Sequence, residues 1–270
     1  MINLNEKFPF NGKNTFNCGQ CFRWTEEADG SFVGIASGHV CRVKDGMVIC
    51  GPEEERFWAA YFALDIPYDV ITRDLITKDP HIESCIAFGQ GMRILRQDLW
   101  ETMVSFIISA NNHIPRIRNI VEMLCSTYGQ PLDFEGKVYH SFPSAKELVH
   151  LQKEDLQVLH AGYRDVYLLD AIRKVAHGEI ALEQIQEMET AAARQELMRI
   201  KGIGKKVADC ILLFALGRYE VFPQDVWIKR ILKDIYAVEG NAAQAFITQT
   251  YGEYGGFAQQ YLFHFYRNHR

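Results

Sequence analysis

The sequence predicts a mainly α, α+β protein in which a small N-terminal antiparallel β domain precedes a helical body. Two observations set the class: short alternating apolar runs are confined to about the first 50 residues, and helical periods dominate from there to the C-terminus. A third gives the body its character, a Gly202-Ile203-Gly204 turn joining two helical stretches within about residues 190–216.

The β-rich part reads as Phe32-Val33-Gly34-Ile35, Val40-Cys41-Arg42-Val43 and Met47-Val48-Ile49. The last two runs are separated by Lys44-Asp45-Gly46, and Asp-Gly between alternating runs is a strong hairpin signal. Pro52 followed by Glu53, Glu54 and Glu55 then opens a helix, because proline suits the first turn and carboxylates complement the positive end of the dipole. Phe57, Trp58, Tyr61 and Phe62 supply its apolar face. Further helices are expected near 99–110, 115–128, 144–150, 153–159, 164–177, 190–200, 205–216, 226–236 and 257–267. Joints such as Tyr128-Gly129-Gln130-Pro131 and Ala161-Gly162-Tyr163 are short turns, with no long linker or internal repeat between elements. The expected organisation is a β domain with flanking helices over 1–75, then a helical region of two subdomains over 76–270.

No run approaches the roughly 18 consecutive apolar residues of a membrane helix, and Met1-Ile2-Asn3-Leu4-Asn5-Glu6 lacks the basic start and apolar stretch of a signal peptide. The seven cysteines are scattered, which suits a reducing, intracellular compartment. Cys18 and Cys21 form a lone C-x-x-C without a second pair, so two half-buried thiols are expected there and no zinc. A net charge of −5 argues against a polyanionic partner. The local distribution argues the other way: Arg194, Arg199, Lys201, Lys205 and Lys206 stand against one acid, Glu196, in that stretch.

That basic stretch contains the turn already noted, and it is written as a helix-hairpin-helix. Glycine lets the backbone turn tightly and approach a phosphate, whose charge meets the free N–H groups of the following helix. Gly202, Gly204 and Lys205 are therefore candidate phosphate contacts that hold DNA without reading its sequence. Lys206 falls in the first turn of the second helix, where the dipole and the like charge of Lys205 both disfavour an ammonium. A neutral amine can attack a sugar C1′ and form a Schiff base; the plainer reading is a second phosphate-binding cation. Downstream, Val221-Phe222-Pro223-Gln224-Asp225-Val226-Trp227 ends a loop and restarts a helix at Asp225, a good N-cap. A carboxylate there could also stabilise positive charge developing on a sugar as its base leaves.

The block Gly202-Ile203-Gly204-Lys205-Lys206-Val207-Ala208-Asp209-Cys210 followed by Pro223-Gln224-Asp225-Val226 resembles the 8-oxoguanine DNA glycosylase branch of the helix-hairpin-helix superfamily. The resemblance implies a bifunctional glycosylase/AP lyase with Lys206 as nucleophile and Asp225 as the essential carboxylate. It also implies that no cofactor is required. Iron–sulfur relatives carry four clustered cysteines after the hairpin, whereas Cys210 is the last cysteine here, so no iron–sulfur cluster is expected.

Three further motifs extend the resemblance. Gly19-Gln20-Cys21-Phe22-Arg23-Trp24 resembles the segment whose glycine carbonyl accepts the N7 hydrogen that 8-oxoguanine has and guanine lacks. Gln259 and Phe263, four apart on the last helix, resemble the amide and ring that line the base pocket, with Cys210 on the other face of the base. The stretch from Arg93 to Arg116 resembles the region that fills the gap left by the flipped nucleotide. By position Asn111 fills it, while Arg116, Tyr163 and Arg164 surround the opposite base and favour cytosine. Two positions depart from the pattern: Trp227 stands where animal members have histidine, near a phosphate contact, and His113 replaces a third consecutive asparagine. The expected partner is double-stranded DNA with a damaged base, bound by an intracellular monomer with no membrane attachment. Rival readings are a glycosylase for another damaged base on the same scaffold and a non-catalytic DNA-binding module.

Overall fold

The computed structural model describes residues 2–269. Its first layer is a five-stranded antiparallel sheet in the order β1-β5-β4-β3-β2, formed by β1 (Ile2–Asn3), β2 (Trp24–Glu26), β3 (Phe32–Ala36), β4 (His39–Lys44) and β5 (Met47–Ile49). The three expected strands and the Asp45-Gly46 turn are all present, with Val43 opposite Val48. Two helices, α1 (Gly12–Phe16) and α2 (Glu55–Tyr61), cover the inner face. There Phe16 stacks on Trp24 with ring centroids 3.9 Å apart, and Trp58 and Phe62 complete the cluster. Trp24 is paired with Gly34 across the ladder, and a Cβ at Gly34 would lie 2.3 Å from the indole, so only glycine lets the ring lie flat there.

The helical body consists of α3 (Tyr68–Lys78), α4 (Glu83–Phe88), α5 (Leu99–Ser109), α6 (Ile114–Tyr128), α7 (Ala145–Leu148) and α8 (Asp165–Ala176). It continues through α9 (Leu182–Glu187), α10 (Thr190–Leu197), α11 (Lys205–Phe214), α12 (Val226–Asp234), α13 (Gly240–Thr250) and α14 (Gly255–Asn268). The boundary expected at 75/76 falls inside α3, whose Ile71 and Leu75 belong to the same buried cluster as α5, α11 and α14. Asp79, just after α3, accepts hydrogen bonds from Tyr236 (2.7 Å) and Tyr251 (2.6 Å), which ties this segment to the region around α13.

The fold differs from the sequence expectation in two places. The stretches expected as helices at 144–150 and 153–159 shrink to the single turn α7 and a 3₁₀ turn, Asp155–Leu159, and His160 (φ 51°) and Gly162 (φ 67°) reverse the chain immediately after the second. The joint at Pro131 opens an unexpected hairpin, β6 (Pro131–Phe134) and β7 (Lys137–His140). It reaches back to cover the outer face of the sheet, where Leu132, Phe134 and Tyr139 pack on Val33, Ile35 and Val40. Arg42 of β4 is clamped by Glu135 at 2.5 Å, and Arg23 donates to the His140 carbonyl. With both faces covered, every residue of β3 is buried.

One helix of the body carries a charge inside. Asp98 caps α5 by accepting from Glu101 N at 2.8 Å, and the Glu101 carboxyl is enclosed, with Oε2 lacking any partner. Burial pushes its pKa up to about 7, against the opposing pull of Arg23. A carboxyl raised in the folded state stabilises the fold below its unfolded value near 4.5, and that contribution is lost as pH rises through about 7. Glu101→Gln is therefore expected to be close to neutral in chemical denaturation at pH 4 and to stabilise by about 3 kcal/mol at pH 8. An equal effect at both pH values would refute the burial argument.

Candidate active site

The hairpin between α10 and α11 is held from beneath. Ile203 is buried, and Lys201 N donates to Asp170 of α8 at 2.8 Å. Gly202 has φ 86°, and a Cβ there would sit 2.5 Å from the Tyr167 ring, so the turn requires glycine for both conformation and contact. Gly204 is the N-cap of α11 and offers no side-chain acceptor, while the space beside its Cα is open. The first N–H groups of α11 thus face outward without partners in the helix.

The surplus of five cations is smaller in the fold than along the chain. Arg194 pairs with Asp209 at 2.6 Å, Arg199 pairs with Glu196, and Lys201 lies 3.9 Å from Asp170, which Lys174 also holds at 3.0 Å. Acids distant in sequence neutralise the cations that the linear count left free. Lys205 and Lys206 carry no ion pair within 4 Å among the described residues, and they stand at the open end of the hairpin.

Lys206 borders a small cavity of about 40 Å³ that is also lined by Asp225, Gly19, Cys210, Gln259 and Phe263. Residues from both ends of the chain and from the middle therefore meet at one amine. Lys206 Nζ lies 5.4 Å from the centroid of the Phe106 ring, itself stacked on Phe214 at 5.5 Å. Cys210 is one turn further along α11, and burial raises its thiol pKa against the pull of Lys206. Asp225 is the N-cap of α12, its Oδ1 accepting from Ile228 N at 2.8 Å. The cap fixes the carboxylate at the cavity wall, beside Lys206. Gln259 is 5% exposed and its Oε1 has no partner among the described residues, an acceptor left unsatisfied in a polar cavity.

Gly19 (φ 90°) lies in the loop after α1, where a Cβ would touch Ile114 at 3.3 Å, Arg267 at 3.4 Å and Phe263 at 3.5 Å. Gln260 donates to the Cys18 carbonyl at 3.1 Å and Arg267 to the Asn17 carbonyl at 2.6 Å, locking this loop onto α14. Cys18 and Cys21 are fully buried rather than half-buried, and their thiols donate to the carbonyls of Thr15 and Phe16. A volume of about 40 Å³ has room for a few waters and none for a purine. Entry of a ring requires a wall to move, and among the aromatic walls Phe263 is half-buried where Phe106 and Phe214 are buried, with the Arg267 guanidinium 5.4 Å from the Phe263 ring.

The cavity opens into a groove of about 900 Å³ that runs from Trp227 and Lys229 past Lys206 to Asn111, Asn112, His113 and Pro115. Asn111 is exposed and left-handed (φ 49°), just past the end of α5, which combines the helix-end turn with an accessible tip. His113 is the N-cap of α6, its Nδ1 accepting from Arg116 N at 3.4 Å, so the departure from asparagine keeps a capping acceptor. Trp227 is 40% exposed on the groove wall.

Arg116, Tyr163 and Arg164 gather around the loop that carries Asn111, in two different states. Arg116 and Tyr163 are exposed, the first donating to the His160 carbonyl at 3.1 Å and the second to that of Ala110 at 3.2 Å. Arg164 is buried at 3% exposure, and none of the three lines the groove itself. Its guanidinium donates to the carbonyls of Ala110 (2.5 and 2.9 Å), Asn111 (2.9 Å) and Ala161 (3.1 Å). Here it holds the Asn111 loop, and a role as reader of an opposite base requires it to release those carbonyls.

Sequence reasoning missed Phe106, Gln260, Arg267 and Lys229 as site residues. Phe106 and Gln260 sit in apolar helical runs where core packing is the ordinary expectation, and Arg267 and Lys229 read as ordinary exposed cations.

Residues 1–103 match the family of 8-oxoguanine DNA glycosylase N-terminal domains, and residues 104–251 match the HhH-GPD superfamily of base excision DNA repair proteins. The N-glycosylase/DNA lyase OGG1 of Arabidopsis thaliana is 30% identical over 275 residues, covering 92% of this chain and 75% of its own length. The structure of MBOgg1 in complex with a low affinity DNA ligand is similar at TM-score 0.93 and 44% identity, over 97% of this chain and 94% of that one. The Clostridium acetobutylicum 8-oxoguanine glycosylase/lyase, in complex with dsDNA containing cytosine opposite to 8-oxoG, is similar at TM-score 0.91 and 37% identity, over 97% and 93%.

Proposed function

The chain belongs to the HhH-GPD superfamily of base excision DNA repair proteins, in its 8-oxoguanine DNA glycosylase branch, and from that membership we propose how its groove works on damaged DNA. The protein is a bifunctional DNA glycosylase/AP lyase that excises 8-oxoguanine from duplex DNA. The observation that best supports the residue roles is the meeting of Lys206, Asp225, Gly19, Cys210, Gln259 and Phe263 around one cavity.

In this reading the outward N–H groups of the hairpin, at Gly202, Gly204 and Lys205, take phosphates, and Asn111 fills the gap left in the stack. The lesion enters as Phe263 shifts, and is then sandwiched between Phe263 and Cys210. The Gly19 carbonyl accepts the N7 hydrogen and the Gln259 amide meets the Watson–Crick edge. Lys206 attacks C1′ through the lone pair of its amine; the C1′–N9 bond breaks, its electron pair leaves with the base, and the base takes up the proton that the newly bonded amine sheds. The Asp225 carboxylate faces the positive charge that grows on the sugar. The adduct opens to an imine, which acidifies the 2′ hydrogen; its loss expels the 3′ phosphate and cuts the strand, and water then frees Lys206. Across the duplex, exposed Arg116 and Tyr163 supply contacts to the orphaned cytosine, and Trp227 lies against the damaged strand.

The test is base release from four duplexes that carry 8-oxoguanine opposite each natural base, read by mass spectrometry together with strand scission. Free 8-oxoguanine should appear fastest opposite cytosine. Absence of free base from all four duplexes would return the protein to a DNA-binding module.

A further inference from the structure

The groove that carries the base pocket does not end at Lys206. A second groove of about 440 Å³ begins there, and Lys206, Gln224 and Lys229 stand in the walls of both. Beyond them the second groove is bounded by Lys205 at the head of α11 and by Asn241 and Gln244 of α13. Two acids also line it, and each is bonded to a cation: Asp209 to Arg194 at 2.6 Å, and Glu239 to Lys233 at 3.1 Å. Lys229 and Lys205 are exposed and have no carboxylate within 4 Å among the described residues, so the cations of this groove are in excess. Lys233, one turn beyond Lys229 on α12, has its carboxylate; Lys229 does not.

An exposed lysine held beside a groove, with neutral amides opposite, suits a chain of single negative charges better than a compact anion. Lys206 lines both this groove and the base cavity, so its amine stands where the two meet. We propose that the second groove carries the phosphodiester backbone of the damaged strand past Lys206, with Lys229 as its anchoring cation. This rests on the glycosylase reading, and it assigns to α12 the backbone contact that Trp227, an indole, cannot make through charge.

The test uses the full chain and a duplex bearing a tetrahydrofuran abasic analogue opposite cytosine, which cannot be cleaved. Lys229→Gln is expected to weaken binding about fivefold at 0.1 M salt and to make the dependence of log Kd on log salt shallower by about one. Lys229→Arg should restore both, with an unchanged melting temperature throughout. Replacing phosphates of the lesion strand singly with methylphosphonate should then reveal a position that weakens the wild type but not Lys229→Gln. Wild-type affinity and salt slope in Lys229→Gln would overturn the proposal, as would a weakened variant with no such phosphate. Release of 8-oxoguanine by the wild type is measured separately, so a failure here is distinct from a failure of the glycosylase reading.

Discussion

Lys206→Gln is expected to abolish the covalent adduct that borohydride traps between this protein and 8-oxoguanine duplex, and to lower base release by at least about a thousandfold. Lys205→Gln should still form the adduct, with weaker DNA binding. The sequence places two lysines side by side and cannot choose between them by charge. The fold can, because Lys205 is exposed and borders only the second groove, whereas Lys206 is half-buried and borders the base cavity and both grooves. Only Lys206 is aligned over the Phe106 ring and next to the Cys210 thiol. Glutamine keeps the length and polarity of the side chain but cannot form an imine. Gel separation of borohydride-treated mixtures reads the result directly, and an adduct persisting in Lys206→Gln but missing in Lys205→Gln would exchange the two roles.

Much of this site was legible in the sequence because its parts have local signatures. A Gly-x-Gly turn between helical periods, a proline followed by an N-cap, and an i, i+4 pair on the last helix each constrain the backbone through their own residues. The pieces that escaped are those decided by distant partners. The pairing of Arg194 with Asp209 and of Lys201 with Asp170 removed cations that the linear count left free. The β6–β7 hairpin escaped because its strands are only four residues long, and their apolar side chains gain meaning from the outer face of a sheet about a hundred positions earlier. Arg164 shows the same limit in a site residue. Its charge and position suggested a reader of the opposite base, but four hydrogen bonds to carbonyls of its surroundings, three of them in the Asn111 loop, make it first a support for that loop. Such bonds involve backbone oxygens that every residue type carries, so no side-chain pattern announces them.

Asp225→Asn separates the observed helix cap from the proposed catalytic role of the same residue. As N-cap of α12 its Oδ1 accepts from Ile228 N, and asparagine offers an equivalent oxygen, so the melting temperature should barely move. As the carboxylate beside Lys206 it is proposed to stabilise charge developing at the sugar, and an amide carries no charge, so base release should fall by about 10² to 10⁴. Asp225→Ala removes both functions and should lose about a further 1 kcal/mol of stability while being no less impaired in excision. Binding to the uncleavable abasic duplex should change little in Asp225→Asn, since a half-buried carboxylate facing a polyanion favours the sugar's developing cation rather than the ground state. Near-normal excision by a stable Asp225→Asn protein would show that the cap is the whole of its role. A stable variant that binds damaged DNA yet excises almost nothing would place the charge of Asp225, and not its geometry, in the reaction.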